Sequence, residues 1–191
     1  MSDSRISLRS FTRADLPRVR PWFEDPDTSR FLGGPEWPAQ MLAFAGRSAG
    51  TMFRGARQID SHHYLALADG TPAGYIDCGT FDRCTVYGGE GPAGPIILET
   101  IDAVTGAIAF VIAAELRGRG LGRAMIAAIL ARPELRAAEL FEAGVEPRNT
   151  ASRRCLEAAG FELGSERPDF EGMLYYRVWP RDLIERGARS T

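Results

Sequence analysis

Apolar residues at helical spacing predict four amphipathic helices. In residues 121–129 they occupy positions i, i+3, i+4, i+7 and i+8, which share one face of a helix. Similar spacing predicts helices in residues 16–23 and 41–49. A fourth helix is predicted from Asn149, a residue that caps helix N-termini well, to Gly160, a residue typical of helix C-termini.

Short extended segments separate these helices. Residues 107–113 are continuously apolar and are predicted to form a buried strand, and residues 140–145 a second one. Asp69-Gly70 is a hairpin turn signal. The other predicted strands are residues 6–9, 63–68, 73–81, 161–166 and 172–179. Because these elements follow one another without a linker or a repeat, residues 1–191 are predicted to form a single mixed α/β domain.

Residues 82–102 are predicted to form a long irregular loop. Gly-Gly or Gly-Pro pairs begin at positions 88, 91 and 94, and such pairs resist regular structure. Long loops inside a compact domain are uncommon and often carry function. We therefore expect this segment to contribute to a binding site.

Composition and charge exclude several classes of function. All 23 basic residues are arginine, so neither a Schiff-base lysine nor a Walker-type phosphate loop can exist. The net charge of −2 gives no reason to expect nucleic acid or a membrane surface as a partner. Three cysteines without metal-ligand spacing, and a polar start without a signal peptide, favour a reducing cytoplasm. The longest apolar run, residues 107–114, is too short to span a bilayer.

The glycine-rich segment of residues 115–123 joins the buried strand to the clearest helix. The first N–H groups of a helix have no partner within the helix, and the helix dipole makes that end positive. Glycines allow a ligand to approach the backbone, and Arg117, Arg119 and Arg123 add positive charge. The segment is suited to a pyrophosphate. The alternatives are a plain strand–helix turn with exposed arginines and, with a poorer fit, a dinucleotide-binding turn.

Two blocks of the sequence resemble a known family. Arg117-x-x-Gly120-x-Gly122 resembles the acyl-CoA pyrophosphate signature of the GNAT N-acetyltransferase superfamily. Residues 149–161, which begin with Asn and end in Gly-Phe, resemble the later helix of that family. The blocks occur in the family's order, and the resemblance covers residues 6–179, the predicted acyltransferase core.

The resemblance implies a GNAT-like fold and a site for acetyl-CoA without a metal. The fold would be a roughly seven-stranded mixed sheet, flanked by helices and splayed where residues 107–113 and 140–145 run parallel. The pantetheine arm would lie in the splay, and the backbone N–H near Val111 is the candidate oxyanion donor. Asn149 would face the arm or simply cap its helix. The implied CoA contacts are Val111, Ile112, Arg117, Gly118, Arg119, Gly120, Gly122, Arg123 and Asn149.

The implied reaction transfers an acetyl group to an amine, and it needs a base more than an acid. An alkyl amine has a pKa near 10, so its deprotonation at pH 7 costs about 4 kcal/mol. Glu99 and Asp102, just before the central strand, are the candidate bases, and the alternative is that both are solvated loop carboxylates. Many family members carry a Tyr where this chain has Leu156, so Ser152, one turn earlier, is the candidate acid. A locally satisfied helical Ser is the alternative.

An acidic and aromatic lining would suit a cationic acceptor. The candidates for acceptor binding are Trp22, Asp25, Trp37, Tyr87 and Glu90. Residues 22–26 and 33–35 resemble aminoglycoside and related small-amine acetyltransferases, although core packing explains Trp22 equally well. His62 and His63 lack the further ligands that a metal site needs.

Three functions stay open at this point. The first is acetylation of a small primary amine, aminoglycoside-like or polyamine-like. The second is acetylation of protein N-termini, as in the ribosomal-protein acetyltransferases that the Ser152 position resembles. The third is a non-catalytic acyl-CoA-binding module, which Leu156 and the absence of a carboxylate at Ala109 or Ala113 on the central strand would favour. The sequence leaves a homodimer open.

Overall fold

The computed structural model describes residues 6–183, which form a mixed α/β fold. The strands are β1 (Ile6–Ser10), β2 (Met52–Phe53), β3 (Ala56–Ala68), β4 (Thr71–Phe81), β5 (Cys84–Gly91), β6 (Gly94–Ile101), β7 (Thr105–Ile112), β8 (Leu140–Val145), β9 (Glu162–Leu163) and β10 (Leu174–Val178). The α-helices are α1 (Leu16–Glu24), α2 (Pro26–Phe31), α3 (Trp37–Ser48), α4 (Leu121–Leu130) and α5 (Thr150–Ala158). No helix among the described residues is long and apolar enough to cross a membrane.

The main sheet has the order β1-β3-β4-β7-β8-β10-β9, with β2 added to β3. All its pairings are antiparallel except β7 with β8. That parallel pairing covers only residues 105–107 of β7 and 140–142 of β8. Beyond Ala107 the two strands diverge and leave a V-shaped opening, which we call the split. The predicted sheet, splayed at its two central parallel strands, is confirmed.

Helices cover both faces of the sheet, as the amphipathic patterns predict. One face packs against α4 and α5, through a cluster that includes Met125, Ile129 and Leu156. The other face, which we call the α1–α3 face, packs through a cluster that includes Phe23, Tyr75 and Val111. Alternation along each strand decides which residues face which layer.

The prediction that residues 82–102 form an irregular loop is wrong. They contain the hairpin of β5 and β6, which pair antiparallel with each other. The glycines permit this hairpin rather than prevent it. Gly89 has a φ of +113° beside a register shift between Tyr87 and Glu90, and a Cβ at Gly88 would lie 2.8 Å from Leu98. Glycine thus supplies a bulge and a close contact, two of its known uses in strands.

Candidate active site

The glycine turn lies at the open end of the split. It follows β7 and precedes α4, and Gly118 and Gly120 have φ values of +74° and +78°. A Cβ at either position would meet nothing within 4 Å, so the space in front of the turn is open. The turn is exposed, and the first N–H groups of α4 have no partner within the helix. These features fit the pyrophosphate site implied by the sequence.

The three arginines of the turn do not share one arrangement. Arg117 Nη2 bonds to Asp25 Oδ1 at 2.9 Å and to Thr28 Oγ1 at 2.8 Å, and its Nε donates to the Ile112 carbonyl at 3.3 Å. Its guanidinium therefore braces α2 against the end of β7. Arg119 donates to the Glu115 carbonyl, and Arg123 is exposed on α4. Positive charge surrounds the turn as predicted, but the side chain of Arg117 is already engaged.

Gly122 is required for helix packing. A Cβ at this position would lie 2.6 Å from Cys155 Sγ on α5, so a larger residue would push α4 and α5 apart. Burial raises the pKa of Cys155 to about 11, which keeps its thiol protonated at neutral pH. Cys155 is thus a packing residue of this contact rather than a nucleophile.

The strand register corrects the contact predicted at Val111. The N–H of Ala113 donates to the Ala73 carbonyl on the β4 side, and N–H groups along a strand alternate in direction. The N–H of Val111 therefore also points to β4. A Cβ at Gly74 of β4 would lie 2.6 Å from the Val111 carbonyl oxygen, so the carbonyl of Val111 also points to β4. The N–H and C=O groups of one strand residue point to the same side, so this contact supports the direction of the Val111 N–H. The N–H groups of Phe110 and Ile112 point into the split, so they replace Val111 as the donors available to a ligand there.

Helix α5 begins at the cap predicted for it. Asn149 Oδ1 accepts a hydrogen bond from the backbone N–H of Ser152 at 3.1 Å. The side chain of Ser152 is half-buried in the first turn, and Leu156 is fully buried in the α4–α5 cluster. The cap role of Asn149 is confirmed, while its contact with the pantetheine arm and the acid role of Ser152 stay predictions.

The two carboxylates predicted as bases are exposed to solvent, and their role as bases stays a prediction. Glu99 lies exposed on β6, opposite Val86 of the hairpin. Asp102 is exposed and precedes the end of β7 that is still paired with β8, whereas the split opens towards the other end of β7. The sequence places both residues near the central strand, but the direction in which that strand opens is a tertiary property.

The residues predicted for acceptor binding fall into separate places. Trp22 is a core residue with 8% exposure, as the packing alternative holds. Asp25 caps α2 and pairs with Arg117, so it lies beside the glycine turn. Trp37 is half-buried and stacks on Phe23, with its ring edge-on to Tyr75. Tyr87 and Glu90 do lie together on the hairpin, where the tyrosine hydroxyl donates to the carboxylate at 2.8 Å.

The sequence did not lead us to expect a buried carboxylate beside the split. Asp77 lies on β4 directly opposite Ala109 of β7, and it is 8% exposed. Burial raises the pKa of Asp77 to about 7, although hydrogen bonds from Tyr75 and from the Ala109 backbone lower it. The available signal was an acidic residue inside an otherwise uncharged strand, residues 73–81. A buried carboxyl with such a pKa is typical of functional sites.

Asp77 ends a chain of hydrogen bonds along the α1–α3 face. The Tyr75 hydroxyl donates to Asp77 Oδ2 at 3.1 Å and lies 2.7 Å from His63 Nδ1. His63 Nε2 lies 3.0 Å from Ser61 Oγ. Burial lowers the pKa of His63 to about 4, with a smaller contribution from His62, so the imidazole is neutral at pH 7. No group of three or more metal-ligating side chains occurs among residues 6–183.

Comparison with known proteins assigns the family. The family described as "Acetyltransferase (GNAT) domain" matches residues 5–162. The chain is 24% identical over 164 residues to the uncharacterized N-acetyltransferase YfmK of Bacillus subtilis, covering 84% of this chain and 87% of that protein. The chain therefore belongs to the GNAT family and is an acyl-CoA-dependent acetyltransferase.

Solved structures share the fold. The aminoglycoside acetyltransferase AAC(6')-Ib, in complex with ribostamycin and coenzyme A, superposes with a TM-score of 0.68 at 23% identity, covering 96% of this chain and 97% of that one. An aminoglycoside N(6')acetyltransferase from Legionella pneumophila gives a TM-score of 0.65 at 16% identity, covering 97% and 98%.

Proposed function

We propose that the protein acetylates a primary amine of a small cationic molecule, aminoglycoside-like or polyamine-like, by direct transfer from acetyl-CoA. The overall reaction converts an ammonium and an acetyl thioester into an amide, a thiol and one released proton. The C–N bond of the amide forms at the carbonyl carbon, and the C–S bond of the thioester breaks.

The observation that carries this proposal is the split in the sheet. Its open end carries the exposed glycine turn with its surrounding arginines, which suits the anionic end of acetyl-CoA. The N–H groups of Phe110 and Ile112 point into the split and would bind the arm. Strand β7 continues from Ala109 towards the turn for three more residues, to Ile112, or about 10 Å of strand. The acetyl end of the cosubstrate would therefore approach the closed part of the split, which is the region where β7 and β8 begin to diverge after Ala107.

The surroundings of the closed part favour a small cationic acceptor. On the α1–α3 face of the sheet, part of the surface is not covered by helices, and the partly exposed residues there are Ala107, Ala109 and Glu142. We call this uncovered part of the sheet the floor. The β5–β6 hairpin contributes the exposed carboxylate of Glu90, which accepts a hydrogen bond from the Tyr87 hydroxyl and would attract a protonated amine. The Tyr87 ring itself is buried and covered by the Arg54 guanidinium. The AAC(6')-Ib structures carry aminoglycosides, which agrees with this acceptor class.

Acetylation of protein N-termini is the second candidate. The observation that favours it is the combination of Ser152 with a fully buried Leu156, where many family members carry Tyr. A peptide must bring its backbone to the site together with its terminal amine, whereas a small amine needs less room. We therefore rank it below the small-amine reaction.

A thiol-release assay with acetyl-CoA and a panel of acceptors tests the proposal. The panel contains an aminoglycoside, spermidine, a peptide with a free N-terminus, and a neutral amino sugar derivative without a free amine as the control. We expect turnover on the aminoglycoside or spermidine and none on the control. Turnover on the peptide alone would replace the proposal with the second candidate. No turnover on any amine would overturn both.

A further inference from the structure

A buried carboxylate lies at the level where the two central strands part. The last residue of β7 that pairs with β8 is Ala107, and Asp77 is opposite Ala109, two residues further on. The side chain at position 109 is only a methyl group, so it leaves space over the strand beside the carboxylate. Asp77 is therefore next to the closed part of the split, where the proposed function brings the acetyl group and the amine together.

In the chain of hydrogen bonds that ends at Asp77, each group donates its proton to the next group towards the carboxylate. Tyr75 has a single hydroxyl proton and donates it to Asp77, so the contact between Tyr75 and His63 requires an N–H on His63 Nδ1. His63 is neutral, so its Nε2 is then an acceptor for the Ser61 hydroxyl. Each donor in such a chain polarises the next, which strengthens the bond that the carboxylate receives. Ser61 lies at the wall of a cleft of about 400 Å³ beneath α3, so this end of the chain reaches solvent.

We propose that Asp77 is the catalytic base that accepts the proton of the bound ammonium, and that Tyr75, His63 and Ser61 are positioning residues that hold its carboxylate. This inference rests on the proposed function. The N–H bond of the ammonium breaks and an O–H bond forms on Asp77, which leaves a free amine to attack the carbonyl carbon. The thiolate that leaves takes the second amine proton, and Asp77 releases the first to solvent after the products leave.

Other carboxylates near the floor are less suited to this role. Glu142 of β8 is held by Arg177 at 3.3 Å and by the Cys84 thiol at 3.1 Å. Glu99 and Asp102 are exposed to solvent. An exposed carboxylate stays hydrated and must lose that hydration before it accepts a proton from the amine. Asp77 is already buried, and burial raises its pKa to about 7, closer to that of an amine.

Two substitutions test the inference, each with a matched control. Asp77→Asn keeps the shape of the side chain but removes the base. Its control is Asp82→Asn, which changes a carboxylate just past the end of the same strand. The Asp82 carboxylate accepts a hydrogen bond from the Arg57 backbone N–H. Tyr75→Phe removes the donor to Asp77. Tyr176→Phe removes an equally buried hydroxyl, which donates to Glu157 on the opposite face of the sheet.

The measurement is kcat/KM as a function of pH, with acetyl-CoA and the best amine of the panel. We expect Asp77→Asn to lower kcat/KM at pH 7 at least about 100-fold, with a loss that shrinks as the pH approaches the pKa of the amine. Asp82→Asn and Tyr176→Phe should stay within about twofold of the wild type. CoA affinity, measured by calorimetry, should be unchanged in all four variants.

The pH profile of Tyr75→Phe distinguishes a positioning role of Tyr75 from a purely structural one. The groups facing Asp77 are Tyr75 on its own strand, His63 on β3 and the Ala109 backbone on β7, while the α1–α3 helices contribute apolar side chains to that face. The hydrogen bond from the Tyr75 hydroxyl lowers the pKa of Asp77. Its removal should therefore raise, by about one pH unit, the pH at which kcat/KM falls on the acidic side of the profile.

The outcomes separate this inference from the proposed function. A wild-type enzyme without turnover on any amine would sink the proposed function itself. An active wild type with Asp77→Asn equally active at pH 7, or with an unmoved acid limb in Tyr75→Phe, would overturn this inference alone. If Asp77→Asn does not fold in a thermal melt, the Tyr75→Phe profile still decides.

Discussion

At the scale of single residues, the positions that break a local rule are the informative ones. Asp77 is an acidic residue in a buried strand, and burying a carboxylate costs free energy unless it is neutral or well hydrogen-bonded. Such a cost is tolerated where function needs it, as at the beginning of the split. The single Asn of the chain, Asn149, was noticed in the sequence for its rarity and proves to be a helix cap.

The raised pKa of Asp77 predicts a trade between activity and stability. The folded state binds the Asp77 proton more tightly than the unfolded chain does, since the pKa rises from 3.8 to about 7. Stability is therefore lost as the pH rises from about 4 to about 7. Asp77→Asn avoids this loss, so its free energy of unfolding relative to the wild type should grow by about 2.5 kcal/mol between pH 5 and pH 8. Urea denaturation at both pH values measures it, and a constant difference would contradict it.

At the scale of elements, the turn between β7 and α4 combines two roles that the sequence motif does not separate. Gly118 and Gly120 have left-handed conformations with open space before them, which suits a ligand. Gly122 instead makes room for Cys155 and joins two helices. The three glycines lie in one short segment, but only the structure tells which of them have open space before them and which pack against another helix.

Gly120→Leu should abolish CoA binding for a local reason. The leucine side chain would fill the space before the first N–H groups of α4, and the left-handed φ would cost about 1 to 2 kcal/mol of stability. Gly70→Leu is the matched control, since Gly70 has a φ of +82° and equally open surroundings in the β3–β4 turn. Calorimetry should find wild-type CoA affinity in the control alone. Normal affinity in Gly120→Leu would remove the turn from the cofactor site.

At the scale of the whole molecule, the site is the space between elements distant in the sequence. In the proposed function the cofactor end would be formed by the end of β7, α2 and the start of α4, which Arg117 links by its bonds to Asp25 and Thr28. The acceptor end would be formed by the floor of the sheet and the β5–β6 hairpin. The split joins these two ends because β7 and β8 pair over only three residues.

Amide hydrogen exchange measured by NMR tests the direction of the split. The N–H groups of Phe110 and Ile112 face the opening, so acetyl-CoA should slow their exchange at least about tenfold. The N–H of Val111 is directed to β4 and should be protected with or without acetyl-CoA. Slowed exchange at Val111 alone would show that the register argument is wrong.

The sequence by itself determined the family, the glycine turn and the order of the four long helices and of the main strands, because these depend on residues close together in the chain. Hydrophobic periodicity placed α4, α5 and β7, and the motif at Arg117, Gly120 and Gly122 indicated an acyl-CoA enzyme. The β5–β6 hairpin was missed because its glycines are typical of loops when read locally.

Only the tertiary structure decided which side chains meet. Asp77, Tyr75 and His63 lie on two strands of one hairpin, and their shared face and exact pairing follow from the register of β3, β4 and β7. Glu99 and Asp102 are near the central strand in the sequence but are exposed to solvent in the folded protein. A base must be close to the reacting amine and have a suitable pKa, which burial raises for a carboxylate. Both proximity and burial come from long-range packing, which no local pattern of residues records.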